Sequence, residues 1–158
     1  MIREAYIEDA EEICAILHDS ITNLCARDHG NDQFKLRKWL ENKTVDNCRL
    51  WIGSASSKLF VAILSNDVVG VIGVGVNGHI HLCYITPRAK ARGIGKAMLS
   101  TAEDWMKSIG CYRFEVHSTA TALGFYKNQG YIETGEPELQ DGIFSYPLIK
   151  QIALYLNP

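Results

Sequence analysis

The stretch Ile85-Thr86-Pro87-Arg88-Ala89-Lys90-Ala91-Arg92-Gly93-Ile94-Gly95-Lys96-Ala97-Met98-Leu99 decides how this chain is read. It runs from the end of a β-rich segment into a helix. Ile94, Met98, Ala102, Trp105 and Ile109 follow helical spacing, and Gly110 ends the run. Gly93 and Gly95 at the helix start let a ligand approach the backbone. The amides of the first turn have no intrahelical acceptor and the helix dipole adds partial positive charge. Arg88, Lys90, Arg92 and Lys96 add cationic side chains. A pyrophosphate suits these groups. A Walker-type loop would need four residues between its glycines and a Lys-Ser/Thr after them. Taken alone, the motif also fits a plain helix start with a solvated basic rim.

Upstream, Leu59 to Leu64, Val68 to Val76 and His79 to Ile85 are β-rich runs, joined by Ser65-Asn66-Asp67 and by Asn77-Gly78. Asn-Gly is the preferred pair for a type I′ hairpin turn, so the middle of the chain is predicted as an antiparallel meander. Gly73-Val74-Gly75-Val76-Asn77-Gly78 matches G-x-G-x-x-G literally. The dinucleotide fingerprint needs a helix after its glycines; here a strand follows, so the motif is read as strand and turn. Near the N-terminus, Ile2 to Tyr6 reads as a short strand. Acidic residues at 8, 9, 11 and 12 then open a helix reaching about Cys25, with Ile13, Leu17, Ile21 and Leu24 on its buried face. Ala26 to Asp32 reads as a loop and Gln33 to Asn42 as a helix. Downstream, Tyr112 to His117 reads as a strand, Ala120 to Asn128 as a helix stopped by Gly130, Tyr131 to Thr134 as a strand, and Phe144 to Ala153 as a closing strand.

A length of 158 residues suits one domain spanning 1–158, and 47% hydrophobic with 22% charged residues is ordinary globular composition. Sixteen basic against eighteen acidic residues leave a net charge of -2, so no overall positive field exists to hold a nucleic acid or an anionic membrane. The five cysteines are an odd number with no C-x-x-C pair, which reads as reduced thiols of a cytoplasmic protein. No apolar run approaches the ~20 residues of a membrane span, and the N-terminus lacks a signal-peptide layout.

Two segments together carry a family resemblance. Ile85 to Leu99 resembles the acetyl-CoA pyrophosphate motif of the GCN5-related N-acetyltransferase (GNAT) superfamily, Gln/Arg-x-x-Gly-x-Gly/Ala, with Lys90 at the Gln/Arg position. Thr119-Ala120-Thr121-Ala122-Leu123-Gly124-Phe125-Tyr126-Lys127-Asn128-Gln129-Gly130-Tyr131 resembles the second signature, Asn-x-x-Ala followed by Phe-Tyr-x-x-x-Gly-Phe, with Thr119 in place of the common Asn. The resemblance implies an α/β (α+β) GNAT fold: a central mixed, mostly antiparallel sheet of about six to seven strands flanked by about four helices.

It also implies an acetyl-CoA-dependent N-acetyltransferase, with acetyl-CoA as co-substrate and an amine acceptor of a small molecule or protein attacking directly in a ternary complex. A homodimer is compatible with it; no membrane or nucleic-acid partner is expected. The cofactor-binding residues it implies are Cys83, Tyr84 and Ile85 on the strand, Lys90, Ala91, Arg92, Gly93, Ile94, Gly95 and Lys96 in the loop and helix start, and Thr119 and Tyr126. Backbone N–H groups at 83–85 would face the thioester oxygen, where negative charge develops. Tyr126 takes the place of the general acid for the leaving thiolate.

The base has several candidates. Alternation places His79, His81 and Cys83 on one strand face. Glu115 on the following strand resembles the base position of ribosomal-protein acetyltransferases, with His117 two residues beyond, and water alone could also serve. His79-x-His81-x-Cys83 has a three-ligand layout for zinc, but no fourth ligand stands at a matching spacing and no metal is expected. Acceptor recognition is expected within Ser20 to Ser57, where Asp28, His29, Asp32, Trp39 and Trp51 are also read as an ordinary solvated loop and helix face. Two other functions compete: a non-catalytic acyl-CoA-binding or sensor module on the same fold, and an oxidoreductase built on Gly73 to Gly78, which would need a helix after Gly78.

Overall fold

A computed structural model of the chain describes residues 1–153; the last five residues of the expected domain, 154–158, lie outside the described residues. Its strands are β1 (Ile2–Glu4), β2 (Ser57–Leu64), β3 (Asp67–Gly75), β4 (His79–Ile85), β5 (Arg113–Ser118), β6 (Ile132–Glu133), β7 (Glu138–Gln140) and β8 (Ile143–Gln151). They lie in the order β1-β2-β3-β4-β5-β8-β6, with β7 also paired to β8. Every pairing is antiparallel except β4 with β5. The helices are α1 (Ala10–Leu24), α2 (Ala26–His29), α3 (Gln33–Leu40), α4 (Val45–Gly53), α5 (Ile94–Ser108) and α6 (Leu123–Asn128).

Hydrophobic periodicity sorts these helices onto two faces of the sheet. Met98, Leu99, Ala102 and Met106 of α5 and Tyr126 of α6 bury against Phe60, Ile72, Ile80, Phe114 and Val116. Ile13, Ile16 and Leu17 of α1 and Cys48 of α4 bury against Val61, Val71 and Leu82 on the other face. Gly70 allows α5 its close approach, because a Cβ there would stand 2.9 Å from the Met98 sulfur.

The sheet has one strand more than the six to seven expected, and the described residues hold six α-helices where about four helices were expected. The loop expected over Ala26 to Asp32 contains α2, a single turn closed by Gly30 at φ 59°. The helix α4 is signalled by Thr44, whose hydroxyl accepts from the Asn47 amide, and by the i, i+3, i+7 spacing of Val45, Cys48 and Ile52. Strand β7 is three exposed residues with no apolar alternation to announce it.

The type I′ turns also fall elsewhere than expected. That turn needs positive φ at both central residues. Ser65 (50°) with Asn66 (69°), and Asp141 (52°) with Gly142 (80°), satisfy this, whereas at Asn77-Gly78 only the glycine is positive, at 90°. The β3–β4 turn instead carries Val76 and Asn77 at its centre, closed by the Gly78 amide to the Gly75 carbonyl at 3.0 Å. As the sequence context requires, Gly73 to Gly78 leads from strand to strand.

One irregularity positions everything that follows. In the β3–β4 ladder Gly73 pairs with Leu82 and Val74 with Ile80, so His81 is an extra, unpaired residue. This bulge reverses the alternation. Ile80 packs toward α5, Leu82 toward α1, and Cys83 and Ile85 toward α5 again. The expectation that His79, His81 and Cys83 share a face is therefore corrected: the two histidines do, and Cys83 is turned to the other side.

Candidate active site

β4 and β5 are in register only at His79 with Glu115 and Ile80 with Val116; beyond these pairs the two strands part. The bulge at His81 bends β4 away, while β5 keeps its ladder with β8 as far as Ser118. A cleft of ≈ 320 Å³ opens in the gap, with Cys83, Tyr84 and Ile85 along one wall and Val116, His117 and Thr119 along the other. Tyr126 and Phe125 of α6 and Leu24 and Cys25 at the end of α1 complete it, and Lys90 and Gly95 mark its open end.

The splay leaves peptide groups of β4 without a strand partner. The Thr86 amide donates to the Val69 carbonyl at 2.8 Å. By antiparallel alternation Tyr84 and Leu82 also direct their peptide groups to β3, whereas those of Cys83 and Ile85 point into the gap. The backbone donors expected over 83–85 are thus narrowed to Cys83 and Ile85; Tyr84 contributes its side chain to the wall. Burial pushes the Cys83 thiol up to about 11 and the Cys25 thiol up to about 12, and it holds the Tyr84 phenol above its ordinary value. All three are neutral lining groups.

At the open end, Ala91 (φ 64°) and Gly93 (φ 73°) turn the chain into α5 through left-handed backbone. No side chain caps this helix. The Ala97 amide makes the first bond, to the Gly93 carbonyl at 3.1 Å, so the amides of Ile94, Gly95 and Lys96 remain for a ligand. Arg88 bonds Asp67 at 3.1 Å and the Leu64 carbonyl at 3.3 Å, which ties it to the β2–β3 turn. Arg92 donates to the Arg88 carbonyl at 3.1 Å. Lys90, Arg92 and Lys96 have no carboxylate within 4.0 Å among the described residues. Thr119 reaches the cleft, but its hydroxyl oxygen already accepts from the Ala122 amide at 3.0 Å, so it holds the turn into α6 as well.

Tyr126 is 3% exposed and packs edge-on against Phe125 and Tyr131, with ring centroids 5.2 and 5.4 Å away. Burial, and then the neighbouring Cys83 thiol, hold its phenol well above the usual value, which keeps the proton on it. On the opposite face of β4, the His79 ring lies 4.7 Å from that of His81 and 5.3 Å from that of His117. His81 and His117 line the cleft; His79 stands behind them, and Glu115 does not reach it. Glu115 pairs instead with Arg113 at 3.2 Å, a half-exposed ion pair. Burial lowers the pKa of both His79 and His81, and for His79 the like charges of His81 and His117 add to the effect. Gly75 is what lets the His81 ring lie against β3, since a Cβ there would meet its Nε2 at 3.0 Å. Among the described residues no group of three or more His, Cys, Asp or Glu is arranged to hold a metal ion.

The polar residues singled out between 20 and 57 are largely structural. Asp28 accepts from the Ala120 amide at 2.6 Å and from the amide and hydroxyl of Thr121, fixing the β5–α6 loop from across the cleft. His29 is fully buried between the Ile21 carbonyl and the Asn31 amide, and Asp32 caps α3. Trp39 and Trp51 line two further clefts that open on the histidine side.

The model of the acetyltransferase (GNAT) domain matches residues 25–152. The chain belongs to the GNAT acetyltransferase family. Among curated relatives, the uncharacterized protein YyaT of Bacillus subtilis is 30% identical over 92 residues, which cover 56% of this chain and 62% of that protein. The chain thus matches somewhat less than two thirds of that relative's length. Two solved structures share the fold. A GCN5-related N-acetyltransferase from Rhodopseudomonas palustris superposes with a TM-score of 0.86 at 20% identity, covering 96% of this chain and 95% of that one. The PaiA N-acetyltransferase of Thermoplasma acidophilum, solved with coenzyme A, gives 0.81 at 17% identity over 96% and 98% of the two chains. The GNAT fold expected from the two signatures is the fold observed. No helix among the described residues is long and apolar enough to cross a membrane.

Proposed function

We propose that this GNAT chain is one N-acetyltransferase domain over residues 1–158 that uses acetyl-CoA to acetylate a primary amine by direct attack in a ternary complex. The observation that carries this reading is the split between β4 and β5, which ends at the uncapped start of α5 and has Tyr126 on one side and His81 on the other. The PaiA structure holds coenzyme A on the same fold. Acetyl-CoA supplies the activated acyl thioester. Ile94, Gly95 and Lys96 offer backbone amides, and Lys90 and Lys96 cationic side chains, to its pyrophosphate. Cys83 and Ile85 offer amides along the pantetheine arm and to the thioester oxygen as charge develops there. Tyr126, kept protonated, donates to the departing thiolate.

His81, neutral near pH 7, accepts a proton from the incoming amine, and His79 and His117 beside it can pass that proton outward. Between the two strand-borne candidates the cleft favours His81, and Glu115 falls behind both because it stands outside. Five unpaired cysteines accord with a reducing, cytoplasmic setting. A thiol-release assay with acetyl-CoA and a panel of small amines and lysine peptides tests the proposal, alongside calorimetric titration with coenzyme A. Binding with amine-dependent thiol release is the expected result. Binding without release from any amine would leave the acyl-CoA-binding module, and no binding would refute the site.

A further inference from the structure

Lys43 is a half-buried cation without an anion. It lies between α3 and α4, and its backbone carbonyl is pinned to α1 by His18 Nε2 at 2.6 Å and Cys14 Sγ at 3.3 Å. Its ammonium donates to Asn42 Oδ1 at 2.7 Å, and among the described residues no carboxylate lies within 4.0 Å of it. Its stem is buried while its ammonium stays accessible, so the charge is open to an anionic ligand and its partial desolvation favours one. That partial burial lowers the pKa of Lys43.

Its position gives the missing partner a place. Lys43 lines a cleft with Trp51, Ser54, Ser56, Ser57, His81 and Leu82. Among the described residues that lining holds no acid, and Lys43 and His81 are its ionisable groups; Glu41 and Asp141 stand in the neighbouring cleft that Lys43 also borders, more than 4.0 Å from its ammonium. His81 and Leu82 also line the cleft assigned to the cofactor, so the two spaces meet at the bulge. Lys43 and His81 therefore border one cleft, within which a single small molecule can meet both.

We propose that the acceptor is a primary amine that also carries a carboxylate, its amine delivered to His81 and its carboxylate paired with Lys43. This rests on the acetyltransferase reading above and narrows it. A polyamine fits poorly, because its second cation would meet Lys43 with no acid in the lining to receive it. The lining is polar, and its serines are already held in place: Ser54 and Ser56 share a hydrogen bond at 3.0 Å, and Ser57 donates to the Trp51 carbonyl at 2.9 Å.

The experiment compares amino acids with their decarboxylated amines, which carry no carboxylate: phenylalanine with phenethylamine, and lysine with cadaverine. Coenzyme A binding is measured first, so failure of the acetyltransferase reading shows as absence of binding and is separate from failure here. The α-carboxylated member should have at least tenfold higher kcat/KM. In Lys43→Met that ratio should fall toward one through a rise in KM, and Lys43→Arg should retain it. Thermal melting confirms that both variants fold.

A second measurement does not depend on turnover. With coenzyme A present, N-acetylglycine should bind the native chain at least tenfold more tightly than it binds Lys43→Met. Preference for the decarboxylated amines, a ratio unchanged in Lys43→Met, or equal or absent binding of N-acetylglycine would overturn the proposal.

Discussion

Replacing Tyr126 by phenylalanine separates chemistry from packing at this site. The ring is what the core uses: it is 3% exposed and set edge-on between Phe125 and Tyr131. Phenylalanine keeps that ring, so stability should change by less than ~1 kcal/mol, or roughly 2–4 °C in Tm for a chain of this size. Alanine would instead remove an aromatic ring from the core at a cost of about 3–5 kcal/mol and confuse folding with function. What phenylalanine loses is the hydroxyl proposed as the proton donor. Loss of a positioned general acid lowers the chemical step by about 10²–10⁴-fold, or roughly 3–5 kcal/mol of barrier. Because burial and the Cys83 thiol hold the phenol well above its usual pKa, it stays protonated through the neutral range, and the native enzyme should show no alkaline loss of rate from this group. The assay is a single-turnover quench with enzyme in excess over acetyl-CoA, which removes product release from the measurement. Coenzyme A affinity should stay within about twofold while the single-turnover rate falls. A rate within twofold of the native value, with binding intact, would refute Tyr126 as the acid.

Three further outcomes are expected. Since the proposed base, His81, must be neutral to accept a proton and burial lowers its pKa, kcat/KM should rise with pH through a midpoint below the ordinary histidine value of about 6.5, and His81→Ala should abolish that acid limb. Gly95→Leu projects a side chain from the first turn of α5 into the mouth of the cleft, beside a Phe125 ring already 3.4 Å from the Cβ position; coenzyme A binding by calorimetry should fall at least about a hundredfold while the circular dichroism spectrum is kept. Asp28→Ala removes the anchor of the β5–α6 loop at Ala120 and Thr121; a loss of about 2 kcal/mol in denaturant unfolding and a weaker coenzyme A complex should result.

Much of this site was legible in the chain because the decisive signals are local. Gly93 sits where left-handed backbone is needed to enter α5, and the spacing of Met98, Ala102 and Met106 fixes which face of that helix meets the sheet. The strand His79 to Ile85 is observed with the bounds expected. What alternation could not reveal is a residue that breaks alternation. The bulge at His81 depends on the pairing of Val74 and Gly73 in a different strand, and it moves Cys83 to the far side of the sheet and decides which amides face the gap. The role of Asp28 is hidden for a related reason, since its partners lie 92 and 93 residues away in sequence. The lone positive φ at Gly78, beside two true type I′ turns at Ser65-Asn66 and Asp141-Gly142, shows that a preferred dipeptide yields to the register of the strands it joins.

Acetyl-CoA is expected in the gap between β4 and β5, with its pyrophosphate at the start of α5. Titrating the isotopically labelled protein with acetyl-CoA and following backbone amide resonances tests this placement directly. The amides of Ile94, Gly95 and Lys96 and those of Cys83 and Ile85 should shift together and saturate with one affinity, while Val61 and Val71 in the α1-facing core stay in place. Saturable shifts confined to other parts of the surface, or none at these five amides, would put acetyl-CoA outside this gap.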